Sequence, residues 1–144
     1  GYLVPLDGAK EVLRLLKHHH IPMAIVSNKE SFFLKPEVMH LGFDSYFQSI
    51  VGRDIAGAKP SPDPAYHALR ELSLDTSSLN IERVWFVGDT KVDAETAHAV
   101  GCTFIGFGDF FEHTQDAPFS HPIKSVANWS QFHSLLSGIH LKYV

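Results

Sequence analysis

A single cysteine, Cys102, stands among 144 residues, so no disulfide can form within the chain. That scarcity fits a reducing compartment. Basic residues are also few: 12 lysines and arginines face 16 aspartates and glutamates, a formal net charge of -4. Without a basic stripe to neutralise a phosphate backbone, nucleic acid is excluded as a partner. Local lysines remain able to hold a small phosphorylated ligand. No apolar run approaches the roughly 20 residues that a membrane span requires, and no basic-then-apolar leader is seen. The expectation is a cytoplasmic protein with no membrane partner. Internal repeats, low-complexity segments and linkers are missing too, so residues 1–144 read as one domain of ordinary globular composition, 44% hydrophobic and 19% charged.

The chain is organised around Val84-Trp85-Phe86-Val87-Gly88-Asp89-Thr90-Lys91-Val92-Asp93. The β-branched and aromatic run from Arg83 to Val87 predicts a strand buried on both faces, and Gly88 turns the backbone sharply at its carboxyl end. Asp89 then sits where open parallel sheets bind ligands. From Thr90 the pattern becomes helical, with Val92, Thr96, Ala99 and Val100 on one side, which puts Asp93 in the first turn and close enough to Asp89 to share an ion. Two hard carboxylates with room for waters and a phosphate suit Mg²⁺ better than zinc or calcium. The competing account is that both acids serve only the helix start, as cap and first-turn residues.

Around that stretch the chain alternates helices and strands. A helix runs from Asp7-Gly8 to about His19 on Val12, Leu13, Leu15 and Leu16; His18, His19 and His20 point about its axis in different directions and read as a solvated helix end rather than a metal site. Pro22 to Val26 is a strand that stops at Ser27-Asn28-Lys29. A helix from about Glu30 to Leu41 follows, where Pro36 either kinks it or starts a second segment. Tyr46 to Val51 is a short strand, Gly52 to Ala58 a loop, and Lys59-Pro60-Ser61-Pro62 leads to a helix over Ala65 to Leu72, with Ser61 available as its cap. Thr103 to Phe107 forms another strand, Asp109 to Pro122 an irregular loop, and Asn128 to Leu136 a last helix. Strands and helices alternating at these lengths predict a Rossmann-like parallel α/β sheet flanked by helices.

Three strand or loop ends thus offer polar groups to one crevice: the Ser27 hydroxyl, the Lys59 ammonium, and the Asp89 and Asp93 carboxylates. Taken singly, Ser27 could be a helix cap and Lys59 a solvated surface residue. In this order and spacing they resemble the haloacid dehalogenase (HAD) superfamily, and within it the subfamily that includes phosphoglycolate phosphatases. Ala24-Ile25-Val26-Ser27-Asn28-Lys29 matches its second motif, Lys59-Pro60-Ser61-Pro62 its third, and Gly88-Asp89 with Asp93 its fourth. The resemblance implies a Mg²⁺-dependent phosphatase that hydrolyses a small phosphorylated metabolite through an aspartyl-phosphate. Ser27 and Asn28 would bind the substrate phosphate, Lys59 would steady nucleophile and phosphoryl group, and Asp89 would ligate Mg²⁺ with Asp93 in support; Lys59 and Asp89 are thereby the catalytic candidates.

The family's first motif, Asp-x-Asp on the first strand, has no counterpart before Ser27. Asp7, in Pro-Leu-Asp-Gly, falls where the family leaves its helical cap and is not expected to be the nucleophile. The expectation is therefore the carboxyl-terminal part of an enzyme core, without the cap, the first strand or the attacking aspartate, and inactive alone. The lost strand would lie between those ending at Ser27 and Asp89. Either these two close up, or Tyr2 to Leu6 substitutes despite Pro5, or a strand-donating or homodimeric partner fills the gap. Metal-free dehalogenase chemistry is disfavoured by the acidic pair, whereas a phosphomutase and a non-catalytic phosphate-binding or regulatory module stay open as alternatives.

Overall fold

Ala9, Val12 and Leu13 recur at helical spacing and are the buried residues of α1, Ala9–His18. The computed structural model describes residues 8–74, 80–108 and 123–137. Asp7, the Tyr2 to Leu6 segment and the whole of the expected loop at 109–122 therefore lie outside the described residues. The basic last turn of α1 suits the negative end of the helix dipole, and His18, His19 and His20 are exposed, the solvated helix end that their spacing implies.

The next elements are β1, Ala24–Val26, α2, Ser31–His40, and β2, Ser49–Val51. Strands β1 and β2 pair in parallel, Ile25 opposite Ile50. One helix runs through Pro36, so no second segment starts there. Leu34 and Val38, buried on its inner face, hold it in place despite the amide that proline lacks. Tyr46 is not in the strand: it ends a 3-10 turn over Asp44–Tyr46, buried beneath the Lys17 ammonium at 5.4 Å from its ring. The expected loop after β2 contains one helical turn, α3, Arg53–Ala56. Helix α4, Asp63–Glu71, starts two residues before the expected Ala65, and Ser61 Oγ accepts the Asp63 amide at 3.2 Å.

A second parallel sheet has the order β3-β4-β5, with β3 at Trp85–Gly88, β4 at Thr103–Phe107 and β5 at Ile123–Val126. Helix α5, Lys91–Val100, joins β3 to β4, and α6, Trp129–Ser137, follows β5. Helix α5 buries Asp93, Ala94, Thr96, Ala97 and Val100, while Ala99 faces out. That is the parallel α/β architecture expected, but in two pieces: β1 and β3 are not hydrogen-bonded to each other, so the two strands have not closed up.

Helices hold the pieces together. Leu13 of α1 packs with Met23, Leu34, Val38 and Phe43 below the first sheet, while Val12 packs with Ile105, Val126 and Phe132 below the second. Ala65 of α4 meets Ala94 and Ala97 of α5. Strand β3, expected to be buried on both faces, is half exposed, with Val87 at 37%. All of β1 is likewise only partly buried, whereas Val51 and Ile105 in the neighbouring strands are sealed. Each of β1 and β3 also lacks a described neighbour along one edge.

Candidate active site at the strand ends

Ser27 directly follows β1 and Asp89 directly follows β3, each at the carboxyl end of its own parallel sheet, and Lys59, bonded to Asn28 and to Asp93, brings the two ends together. Gly88 is required at the end of β3 because a β-carbon there would lie 2.6 Å from Asp93 Cγ. That close approach lets Asp93 reach back over the turn. Its Oδ2 accepts the amides of Asp89 and Thr90, each at 3.3 Å, and the Thr90 hydroxyl at 2.9 Å, while Thr90 Oγ1 accepts the Asp93 amide at 3.2 Å. This is a capping box, with aspartate in place of the usual glutamate. Asp93 is buried and Asp89 is exposed. The spacing Thr-x-x-Asp carried this signal in the sequence, where Thr90 was not singled out.

The other oxygen of Asp93, Oδ1, forms an ion pair with Lys59 Nζ, and the two side chains are only 7% and 11% exposed. Lys59 is held a second time through its backbone. Asn28 Oδ1 accepts the Lys59 amide at 2.7 Å, and Asn28 Nδ2 donates to the Lys59 carbonyl at 3.2 Å. Ser27 continues the β1 ladder by donating its amide to the Val51 carbonyl at 3.0 Å, and its hydroxyl accepts the Lys29 amide at 3.1 Å. Ser27, Asn28, Lys59, Asp93 and Asp89 thus form one connected run across the two sheets. All five residues expected at the site are brought together.

A second layer fixes the loop that carries Ser27 and Asn28. The Arg53 amide donates to the Lys29 carbonyl at 3.0 Å, and Asp54 Oδ1 accepts both the amide and the hydroxyl of Ser31 at 2.8 and 3.0 Å. Gly52 permits this docking, since a β-carbon on it would sit 2.7 Å from the Ser31 nitrogen. Beside it opens a cavity of about 570 Å³ lined by Asn28, Lys29, Glu30, Phe33, Glu37 and Arg53. Its charges are balanced by Lys29–Glu37 at 2.6 Å and Arg53–Glu30 at 3.0 Å.

Asp89 and Asp93 are not equivalent as metal donors. Asp93 spends one oxygen on the helix cap and the other on Lys59, while the exposed Asp89 carboxylate enters no described ion pair. Asp89 fits as a protein ligand of a Mg²⁺ that keeps several waters, with Asp93 behind it holding the turn. Cys102 is no substitute nucleophile: it is buried, and burial pushes its thiol up to about 11, so it stays protonated.

Residues 2–107 match the family described as haloacid dehalogenase-like hydrolase. A phosphoglycolate phosphatase of Pectobacterium atrosepticum is 36% identical over 114 residues, which cover 78% of this chain and 47% of the relative. The phosphoglycolate phosphatase of Photorhabdus laumondii is 33% identical over 133 residues, 92% of this chain and 53% of its own length. A HAD-superfamily hydrolase from Ehrlichia chaffeensis superposes with a TM-score of 0.76 at 33% identity, covering 92% of this chain and 57% of that one. The chain spans about half the length of the relatives it matches. With its family match running through the strands that carry Ser27 and Asp89, the chain belongs to the haloacid dehalogenase-like hydrolases.

Proposed function

We propose that this chain carries the phosphate- and metal-binding part of a Mg²⁺-dependent phosphatase acting on a small phosphate monoester of the phosphoglycolate type in the cytoplasm. The observation that supports it is the hydrogen-bonded run from Asn28 through Lys59 to Asp93 and the Asp89 turn. In this reading the Ser27 hydroxyl holds a phosphate oxygen. The Lys59 ammonium, fixed against Asp93, offsets charge that develops on the transferring phosphoryl group. Asp89, backed by Asp93, would hold Mg²⁺, which when bound neutralises the phosphate oxygens.

Hydrolysis through an aspartyl-phosphate needs an aspartate aimed at phosphorus. Asp93 is committed to its cap and to Lys59, and Asp89 is reserved for the metal. The attacking group is therefore assigned to a further strand, seated between β1 and β3, of the kind the unmatched half of the relatives can supply. The chain alone then binds but does not turn over.

Hydrolysis of an aryl phosphate with Mg²⁺, by this chain and by Asp89→Asn, tests the reading. Neither should turn over until the missing half is restored. Activity should then appear, and Asp89→Asn should lower it by about a hundredfold or more. Activity of the isolated chain that Asp89→Asn abolishes would overturn the fragment reading and make Asp7 the first suspect. A binding-only module is the second reading, favoured because, among the described residues, Asp93 is the one carboxylate paired with Lys59 and it is committed to that pair and to the helix cap. It predicts no turnover even in the restored enzyme. A phosphomutase would instead move the phosphoryl group to a second hydroxyl without releasing inorganic phosphate.

A further inference from the structure

Asn28 is placed like a phosphate-binding residue, one position after Ser27 at the end of β1, yet both ends of its side-chain amide are already engaged. The oxygen accepts from the Lys59 amide at 2.7 Å and the nitrogen donates to the Lys59 carbonyl at 3.2 Å. The carboxamide thus pairs with both the N–H and the C=O of one residue, Lys59, much as a neighbouring strand would. Among the described residues, no other hydrogen bond ties the Lys59 backbone to the first sheet's rim. On the far side of the same residue, the ammonium meets Asp93 on α5. Lys59 is thus suspended between the two sheets, its backbone held by Asn28 and its charge by Asp93.

We infer that Asn28 is a positioning residue that acts through Lys59, clamping the lysine's backbone so that its ammonium is held on Asp93 and presented at the rim. This rests on the phosphatase reading for the importance of Lys59, and on the two hydrogen bonds alone for the clamp. A lysine side chain is long and flexible, so its tip is fixed only when both ends are held, the backbone by Asn28 and the ammonium by Asp93. Substituting Asn28 therefore disturbs the ammonium at a distance.

The test reads Lys59 directly and needs no turnover. Rates of acylation by an amine-reactive ester are followed lysine by lysine with mass spectrometry, in wild type, Asn28→Ala and Asn28→Asp. Lys91, 65% exposed in its side chain and outside the clamp, is the internal control. Asn28→Ala should raise the Lys59 rate about tenfold, the order expected for losing two hydrogen bonds, with Lys91 unchanged. Asn28→Asp keeps the shorter bond to the Lys59 amide and should give an intermediate rate. An unchanged Lys59 rate in a folded Asn28→Ala overturns the clamp. So does equal acceleration at Lys59 and Lys91, and Asn28→Asp decides the matter if the alanine variant unfolds. Binding of inorganic phosphate in the presence of Mg²⁺ is measured alongside. Its absence from wild type would count against the phosphatase reading, while the lysine rates still decide the clamp.

Discussion

Lys59 and Asp93 are almost sealed from water, so each charge depends on the other far more than a surface pair does. Removing one member strands its partner in a poorly hydrated place. Asp93→Ala should cost about 3–5 kcal/mol in urea-induced unfolding, because it leaves the ammonium unpaired and also uncaps α5. Lys59→Met should cost less, since its aliphatic stem is kept. In the double variant the loss should fall well short of the sum, the mark of direct coupling. Additive losses would mean that the pair is not formed in solution. The residue types were legible in advance: strand ends followed by Ser-Asn and Gly-Asp already pointed to Ser27, Asn28, Asp89 and Asp93. Their bonding was not, because Lys59 reaches Asn28 and Asp93 across 31 and 34 residues of chain. Local pattern carries no information at that range.

At the scale of elements, α2 shows how a short helix can be capped from elsewhere. Glu30 stands at its N-cap and makes no side-chain capping bond. Asp54, in the single turn of α3, accepts the Ser31 amide and hydroxyl instead. The Ser31 backbone hydrogen bond holds the Asp54 carboxyl below its usual 3.8. A lowered folded-state value means that this contribution to stability is present above the ordinary pKa and lost as pH falls through the lower one. The Ser31 amide proton shift, followed by NMR, should titrate with a midpoint below 3.8 and lose the transition in Asp54→Ala. A midpoint at or above 3.8 would show that the remote cap is not made. Boundaries were read best where local signals were strong. Helix α5 opens on Thr90 and closes at Gly101, whose φ of 91° suits glycine, and β4 is the continuous apolar run Thr103–Phe107. Missed elements had weak signals: α3 is one turn, and β5 has polar Lys124 and Ser125 between its two apolar ends.

At the scale of the whole molecule, among the described residues, the two sheets are joined by helices and by the Asn28–Lys59–Asp93 run rather than by a strand. Sequence could foresee this gap, since the chain's strands lack the family's first motif, but it could not say how the described strands would respond. They have stayed apart, leaving β1 and β3 half exposed. A strand with one unpaired edge has backbone amides without ladder partners, and water reaches them. Hydrogen exchange should therefore rank the strands by neighbours rather than by hydrophobicity. Strand β4, paired on both edges, should exchange slowest. The amides of β1 and β3 that point away from β2 and β4 should exchange on the order of a hundredfold faster or more. Adding a strand-donating segment or partner should slow those amides selectively and leave β4 nearly unchanged. Should the isolated chain already protect β1 and β3 as well as β4, the gap is filled in solution. Dilution then identifies what fills it, because protection by a second copy falls with concentration and protection by the chain's own residues does not.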